Sequence, residues 1–171
     1  MEKFGLKDSF TLANAAMGVM AIVFYSFGYL ASFLFLLAAM LFDFLDGYHA
    51  RSSKTSNAFG KQLDSLADAI SFVTAPALVV LFSVTRGLYD VSLVLFALVS
   101  VLVFVMAGLT RLAKFNLQKE KGVYYGLPTP YAALFLMGLM PFLNYNLYAV
   151  SLVSVVLAGL MLSPLKARKL F

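Results

Sequence analysis

Four aspartates, Asp43, Asp46, Asp64 and Asp68, interrupt the most apolar part of the chain. One carboxylate at the centre of a membrane helix costs roughly 2.5–3.5 kcal/mol on insertion scales, so four near one another require something that binds them. Asp43 and Asp46 are three residues apart and Asp64 and Asp68 four apart, so on helices each pair shares a face. The stretch from Ala50 to Phe59 is rich in Ser, Asn and Lys and turns the chain so that the two faces meet. Four converging carboxylates repel one another unless a hard cation with oxygen ligands neutralises them. Two divalent ions a few ångströms apart are the usual arrangement where phosphoryl groups react.

Small residues flank these acids. Gly47 follows Asp43 by four positions, Ala50 follows Asp46 by four, and Gly60 precedes Asp64 by four. Space beside an acid lets a nucleotide or pyrophosphate approach the helix backbone. The same small faces also serve close helix packing in membranes, and the spacing leaves both readings open.

The elements that carry these residues follow from composition. The chain has 171 residues, is 62% hydrophobic and 12% charged, and has a mean hydropathy of +0.90. That balance predicts an all-α membrane protein in one domain spanning 1–171. Cut at polar and glycine-rich breaks, the apolar runs predict six transmembrane helices near 10–27, 29–49, 60–84, 88–112, 127–143 and 146–164. Every basic residue except Arg86 falls on one side of this arrangement, so both termini and two basic loops are expected to face the cytoplasm. The short basic loops suit topology and anionic headgroups and offer no stripe for nucleic acid. Absence of cysteine excludes thiolate catalysis and Cys-ligated zinc. Ala13-Asn14-Ala15 falls too early in the first apolar run to be read as a signal-peptide cleavage site.

The string Asp43-Phe-Leu-Asp46-Gly47-Tyr-His-Ala50-Arg51, followed at fixed intervals by Gly60, Asp64 and Asp68, resembles the signature D-x2-D-G-x2-A-R-x8-G-x3-D-x3-D of the CDP-alcohol phosphotransferase family. All eight specified positions match. The resemblance implies a six-helix homodimer in the cell membrane with its site facing the cytoplasm. It implies transfer of a phosphatidyl-type group from a CDP-linked lipid to a small alcohol, with release of CMP. It also implies roles by residue. Asp43, Asp46 and Asp64 resemble ligands of one metal ion, and Asp43, Asp64 and Asp68 ligands of a second, either Mg²⁺ or Mn²⁺. Asp68 also resembles the general base. Asp43, Asp46, Gly47, Ala50, Arg51, Gly60 and Asp64 resemble the positions that accommodate the CDP moiety.

Downstream, Arg111-Leu-Ala-Lys114-Phe-Asn116 and then Gly126-Leu-Pro128-Thr-Pro130 resemble the serine-accepting branch of that family. There R-L-A-R-F-N precedes G-L-P-T-P, and Lys114 stands where arginine is usual. Lysine keeps the charge and gives up the bidentate fork. Arg111, Lys114 and Asn116 are thus expected to hold serine or the lipid phosphate, against the simpler reading that basic residues collect at cytoplasmic helix ends. The alternatives are an acceptor such as glycerol 3-phosphate or inositol phosphate, or a divalent-cation transporter. A phosphate-bearing acceptor wants an arginine cluster, and this chain has four arginines in all, Arg51, Arg86, Arg111 and Arg168. A transporter needs polar groups through the membrane's depth, and the acids crowd towards one end of two spans.

The other conspicuous residues read more plainly. His49 is a lone histidine at a helix end, and Asp8 reads as an N-cap-region or interfacial charge. Tyr124, Tyr125, Tyr145 and Tyr148 read as interfacial belt residues. Pro76 is expected to bend the third span and Pro141 to bend or end the fifth. Lys119-Glu120-Lys121 reads as a solvated turn.

Overall fold

The computed structural model describes residues 6–53, 58–117, 123–164 and 166–168. Helix α1 (Leu6–Val23) runs into a 3₁₀ turn (Phe24–Phe27), and Gly28 at φ 138° turns the chain into α2 (Tyr29–Ser53). Helix α3 (Ala58–Asp68) continues through a π-helical segment (Ala69–Thr74) into α4 (Ala75–Thr85). Then come α5 (Val91–Leu117), strand β1 (Val123–Tyr125), α6 (Thr129–Leu139), α7 (Leu147–Leu162) and strand β2 (Lys166–Arg168).

Four stretches are long and apolar enough to cross a membrane: Asp8–Phe27, Tyr29–Tyr48, Phe59–Thr85 and Val91–Leu117. Their outward faces are apolar. On α2, Leu30, Leu34, Leu37, Leu41 and Phe44 recur at helical spacing and are all exposed, while Ser32, Leu36, Ala39 and Asp46 are buried on the opposite face. A helix with its large apolar residues outside and its polar ones inside is matched to lipid rather than water. Helix α1 is the plainer case, because its buried face is Asp8, Thr11, Asn14, Gly18 and Ala21 while Leu12, Val19 and Val23 are exposed. Asp8 is therefore inside the bundle and is not the interfacial charge that its place in the sequence suggests.

The last two helices are shorter than the hydropathy predicts. At 1.5 Å per residue, the 11 residues of α6 and the 16 of α7 reach about 16 and 24 Å, short of a hydrocarbon core of about 30 Å. Pro141, with no N–H to donate, follows a helix that ends at Leu139, and Asn144 and Tyr145 turn the chain at φ 49° and 55°. Asp90 begins α5 by accepting hydrogen bonds from the Ser92 backbone N–H at 2.8 Å and hydroxyl at 2.7 Å. These bonds hold its carboxyl below the usual carboxylate range.

Polar ties join the helices where lipid offers no competing partner. The Ser32 hydroxyl donates to Ala21 O on α1 at 2.6 Å, Ser100 Oγ on α5 donates to Ser151 Oγ on α7 at 3.1 Å, and the Tyr29 hydroxyl donates to Met137 O on α6. The antiparallel β1–β2 ribbon, with Val123 opposite Arg168, was not legible in the sequence. It brings the approach to α6 beside the end of α7, where Leu127 N donates to Leu160 O at 3.0 Å. Gly126 makes that approach possible: its φ is +70°, and a Cβ there would lie 2.2 Å from Met161 O. Gly126→Ala is expected to lower stability by about 1–3 kcal/mol, read as a lower unfolding midpoint in detergent; an unchanged midpoint would contradict the packing described.

Candidate active site

The buried face of α2 carries Asp43 and Asp46, and α3 presents Asp64 and Asp68 to it. Asp43, Asp64 and Asp68 each bring a carboxylate oxygen within 4.8 Å of the others. Hard cations bind oxygen at about 2.0–2.6 Å, so two such bonds reach across about 4–5 Å and the three acids fit one ion directly. All three are partly buried, and acidic oxygens are what Mg²⁺ and Mn²⁺ prefer.

Asp46 differs from the expectation that all four acids converge. It is 2% exposed, and its Oδ2 accepts a hydrogen bond from Thr11 Oγ1 on α1 at 2.5 Å. Asp46 lies near enough to Asp43 for their charges to interact, yet it is outside the group whose oxygens converge. The reason is tertiary: α1 packs against both α2 and α3, and its polar face takes one acid from each. Asn14 Nδ2, one turn beyond Thr11, donates to Asp68 Oδ1 at 3.3 Å. Sequence reasoning missed both α1 residues. A signal was present, since Asp8, Thr11 and Asn14 recur every three residues along one side of the first apolar run.

The π-helical segment sets how far α3 can advance towards α1. Pro76 cannot donate a backbone hydrogen bond, and its ring would crowd the carbonyl four residues back, so the turn before it widens. Ser71 in this segment donates through Oγ to Asn14 O at 2.8 Å, and Thr74 Oγ1 donates to Ala69 O at 2.9 Å. A Cβ on Gly18 would meet Ser71 Cα at 2.6 Å, and one on Gly108 would meet Val73 Cγ2 at 2.8 Å. The segment after Asp68 is thus gripped by α1 and α5 at glycines.

Room beside the acids is real at Gly47, where a Cβ would meet nothing within 4 Å. Gly60 is buried. The backbone of Ala50 and Arg51 continues α2, and their side chains, with that of His49, lie outside the described residues. Lys119-Glu120-Lys121 also lies outside them, as do the side chains of Tyr124 and Tyr125.

Arg111, Lys114 and Asn116 lie on the final turns of α5, which runs five residues past the expected end of the fourth span. Arg111 is 8% exposed, its Cζ sits 5.9 Å from the Phe115 ring centroid, and its charge acts on Asp68. With exposed Lys114 it lines a groove of about 430 Å³ whose other wall is Met161, Leu162 and Ser163 of the α7 end. A cationic edge over an apolar wall suits a lipid phosphate or a small zwitterion. Asn116 is partly committed elsewhere: its Nδ2 donates to Ser65 Oγ at 2.7 Å, and its backbone carbonyl accepts from Lys61 Nζ at 2.6 Å. Both bonds tie the end of α5 to the helix that carries Asp64 and Asp68.

The family model for CDP-alcohol phosphatidyltransferases matches residues 6–163. A CDP-diacylglycerol–serine O-phosphatidyltransferase of Methanocaldococcus jannaschii is 35% identical over 96% of this chain and 74% of its own length. One of Bacillus subtilis is 32% identical over 91% of this chain and 85% of its own. An archaetidylserine synthase of Methanothermobacter thermautotrophicus is 35% identical over 75% of this chain and 54% of its own length. Other relatives extend further beyond the matched region, and the chain spans about half of their length. With the aspartate signature intact and matched across α1 to α7, the chain belongs to the CDP-alcohol phosphatidyltransferase family and is a transferase of membrane character.

Proposed function

We propose that this protein transfers a phosphatidyl-type group, diacylglycerol or archaeol phosphate, from a CDP-linked lipid to the hydroxyl of L-serine. The convergence of Asp43, Asp64 and Asp68 carries the proposal, because it supplies a hard-cation centre on the signature that reads CDP. Asp46 completes the acid set from its place against Thr11. Two divalent ions, Mg²⁺ or Mn²⁺, would be held there and would neutralise the pyrophosphate oxygens and the departing CMP.

This chain's own residues do the rest. Gly47, with open space above it, lets the pyrophosphate approach α2; Ala50, Arg51 and Gly60 are assigned to the CDP moiety on the signature they belong to. Asp68 takes the proton of the serine hydroxyl as its oxygen bonds to the lipid-side phosphorus. The phosphorus–oxygen bond to CMP then breaks, and CMP leaves with the electron pair. Arg111, supported by Lys114, holds the serine carboxylate or the lipid phosphate at the rim. Asn116 contributes through Oδ1, which is buried and has no partner among the described residues. The protein works as a homodimer in the cell membrane, four of its helices long enough to cross it and α6 and α7 packed among them, with termini and site on the cytoplasmic side, as the basic residues favour.

The acceptor is tested by supplying purified protein with CDP-lipid and labelled L-serine, glycerol 3-phosphate or inositol phosphate. Label should enter lipid from serine alone; entry from a phosphate-bearing acceptor would discard the serine assignment. Arg111→Ala is expected to raise the KM for serine about tenfold or more, the size of a lost charged hydrogen bond, with a smaller change for Lys114→Ala. An unchanged KM in both variants would remove these residues from the acceptor site.

A further inference from the structure

Asn14 is fully buried and is held at two points. Its backbone carbonyl accepts from Ser71 Oγ at 2.8 Å, and its Nδ2 donates to Asp68 Oδ1 at 3.3 Å. Its remaining polar atom, Oδ1, is also buried and has no partner among the described residues. A buried amide acceptor needs a donor, and ionised carboxylates offer none. The donor therefore has to arrive with whatever binds at the aspartates.

We propose that Asn14 is a positioning residue for the aspartate centre: its amide nitrogen fixes the rotation of the Asp68 carboxylate, and its amide oxygen accepts a hydrogen bond from a water or hydroxyl bound there. The proposal rests on reading Asp43, Asp64 and Asp68 as a cation site. Asp68 is the acid that most needs an anchor. It is the last residue of α3, where the regular helix gives way to the π-helical segment, and among the described residues Asn14 is the side chain seen to hydrogen-bond it. Thr11 plays the same part for Asp46 one turn earlier. A partner that orients a metal-binding carboxylate typically changes metal affinity about 10–100-fold when removed.

The test is Mn²⁺ binding to the purified full-length protein, followed by the electron paramagnetic resonance signal of free Mn²⁺, with kcat and the KM for serine measured alongside. Asn14→Leu and Asn14→Ala should each weaken Mn²⁺ binding about 10–100-fold and lower kcat more than they change the KM for serine. Ser71→Ala removes the hydrogen bond that ties α1 to the π-helical segment but leaves the amide in place, and should keep Mn²⁺ affinity within about twofold of wild type. Wild-type affinity in both Asn14 variants would overturn the proposal. So would a loss in Ser71→Ala as large as theirs, or failure of both Asn14 variants to fold, because each outcome makes the residue a packing element only. No Mn²⁺ binding by the wild-type protein would instead overturn the cation-site reading itself, and this proposal with it.

Discussion

Asp64→Asn is expected to lower turnover by on the order of 10³ or more and, at the same time, to stabilise the protein in chelator. The two effects share one cause. Two ionised carboxylates about 5 Å apart repel by about 3 kcal/mol at an effective dielectric of about 20, and Asp43, Asp64 and Asp68 form three such pairs. Without a cation this repulsion opposes the packing of α2 against α3. An amide at position 64 removes two of the three pairs and with them one cation ligand. The variant should therefore unfold at a higher temperature than wild type in chelator, and Mg²⁺ or Mn²⁺ should raise its midpoint far less than it raises that of wild type. Asp43→Asn should behave alike. Asp68→Asn loses, in addition, the proposed base. A variant that is less stable in chelator, or that keeps near-wild-type turnover, would contradict the cation-site account.

Gly18→Ala should also cost both stability and activity, by a different route. The new Cβ would lie 2.6 Å from Ser71 Cα, which is backbone and cannot swing aside. Either α1 or the π-helical segment must withdraw, at about 1–3 kcal/mol for overpacking of this kind, with more for Gly18→Val. Withdrawal of α1 carries Thr11 and Asn14 away from Asp46 and Asp68. Activity should fall although position 18 is one to two turns from either residue. Thermal unfolding together with CMP release measures both effects. A variant with wild-type stability and turnover would show that the close approach of α1 to Ser71 is not needed.

These two cases mark what a single sequence discloses. Placement of Asp43 with Asp46, and of Asp64 with Asp68, follows from helical spacing alone, and so does the buried side of α2, where large apolar residues alternate with small and polar ones. The division of labour among the acids was not legible. Asp46 is drawn off by Thr11, 35 residues earlier, and Asp68 is anchored by Asn14, 54 residues earlier. Such contacts depend on how α1 packs, and α1 packs as it does because Gly18 admits Ser71. Hydropathy overstated the last two spans for a related reason. It counts apolar residues through Pro141, whereas α6 ends at Leu139 because the backbone turns there. At the end of α5 the error ran the other way: Lys114 and Asn116 fall beyond the expected end of the span at 112, and the helix persists to Leu117 because Lys61 and Ser65 of α3 hold its last turn.

In the proposed reaction the aspartates bind divalent cations so that serine can displace CMP from a CDP-linked lipid. Its most direct test is CMP release by the purified protein in detergent, with L-serine and Mg²⁺ or Mn²⁺ each supplied or withheld. Release that requires both serine and the metal, and that disappears in Asp64→Asn, is the predicted result. Release that continues in chelator, or no metal-dependent release from either a diacylglycerol or an archaeol donor, would contradict it.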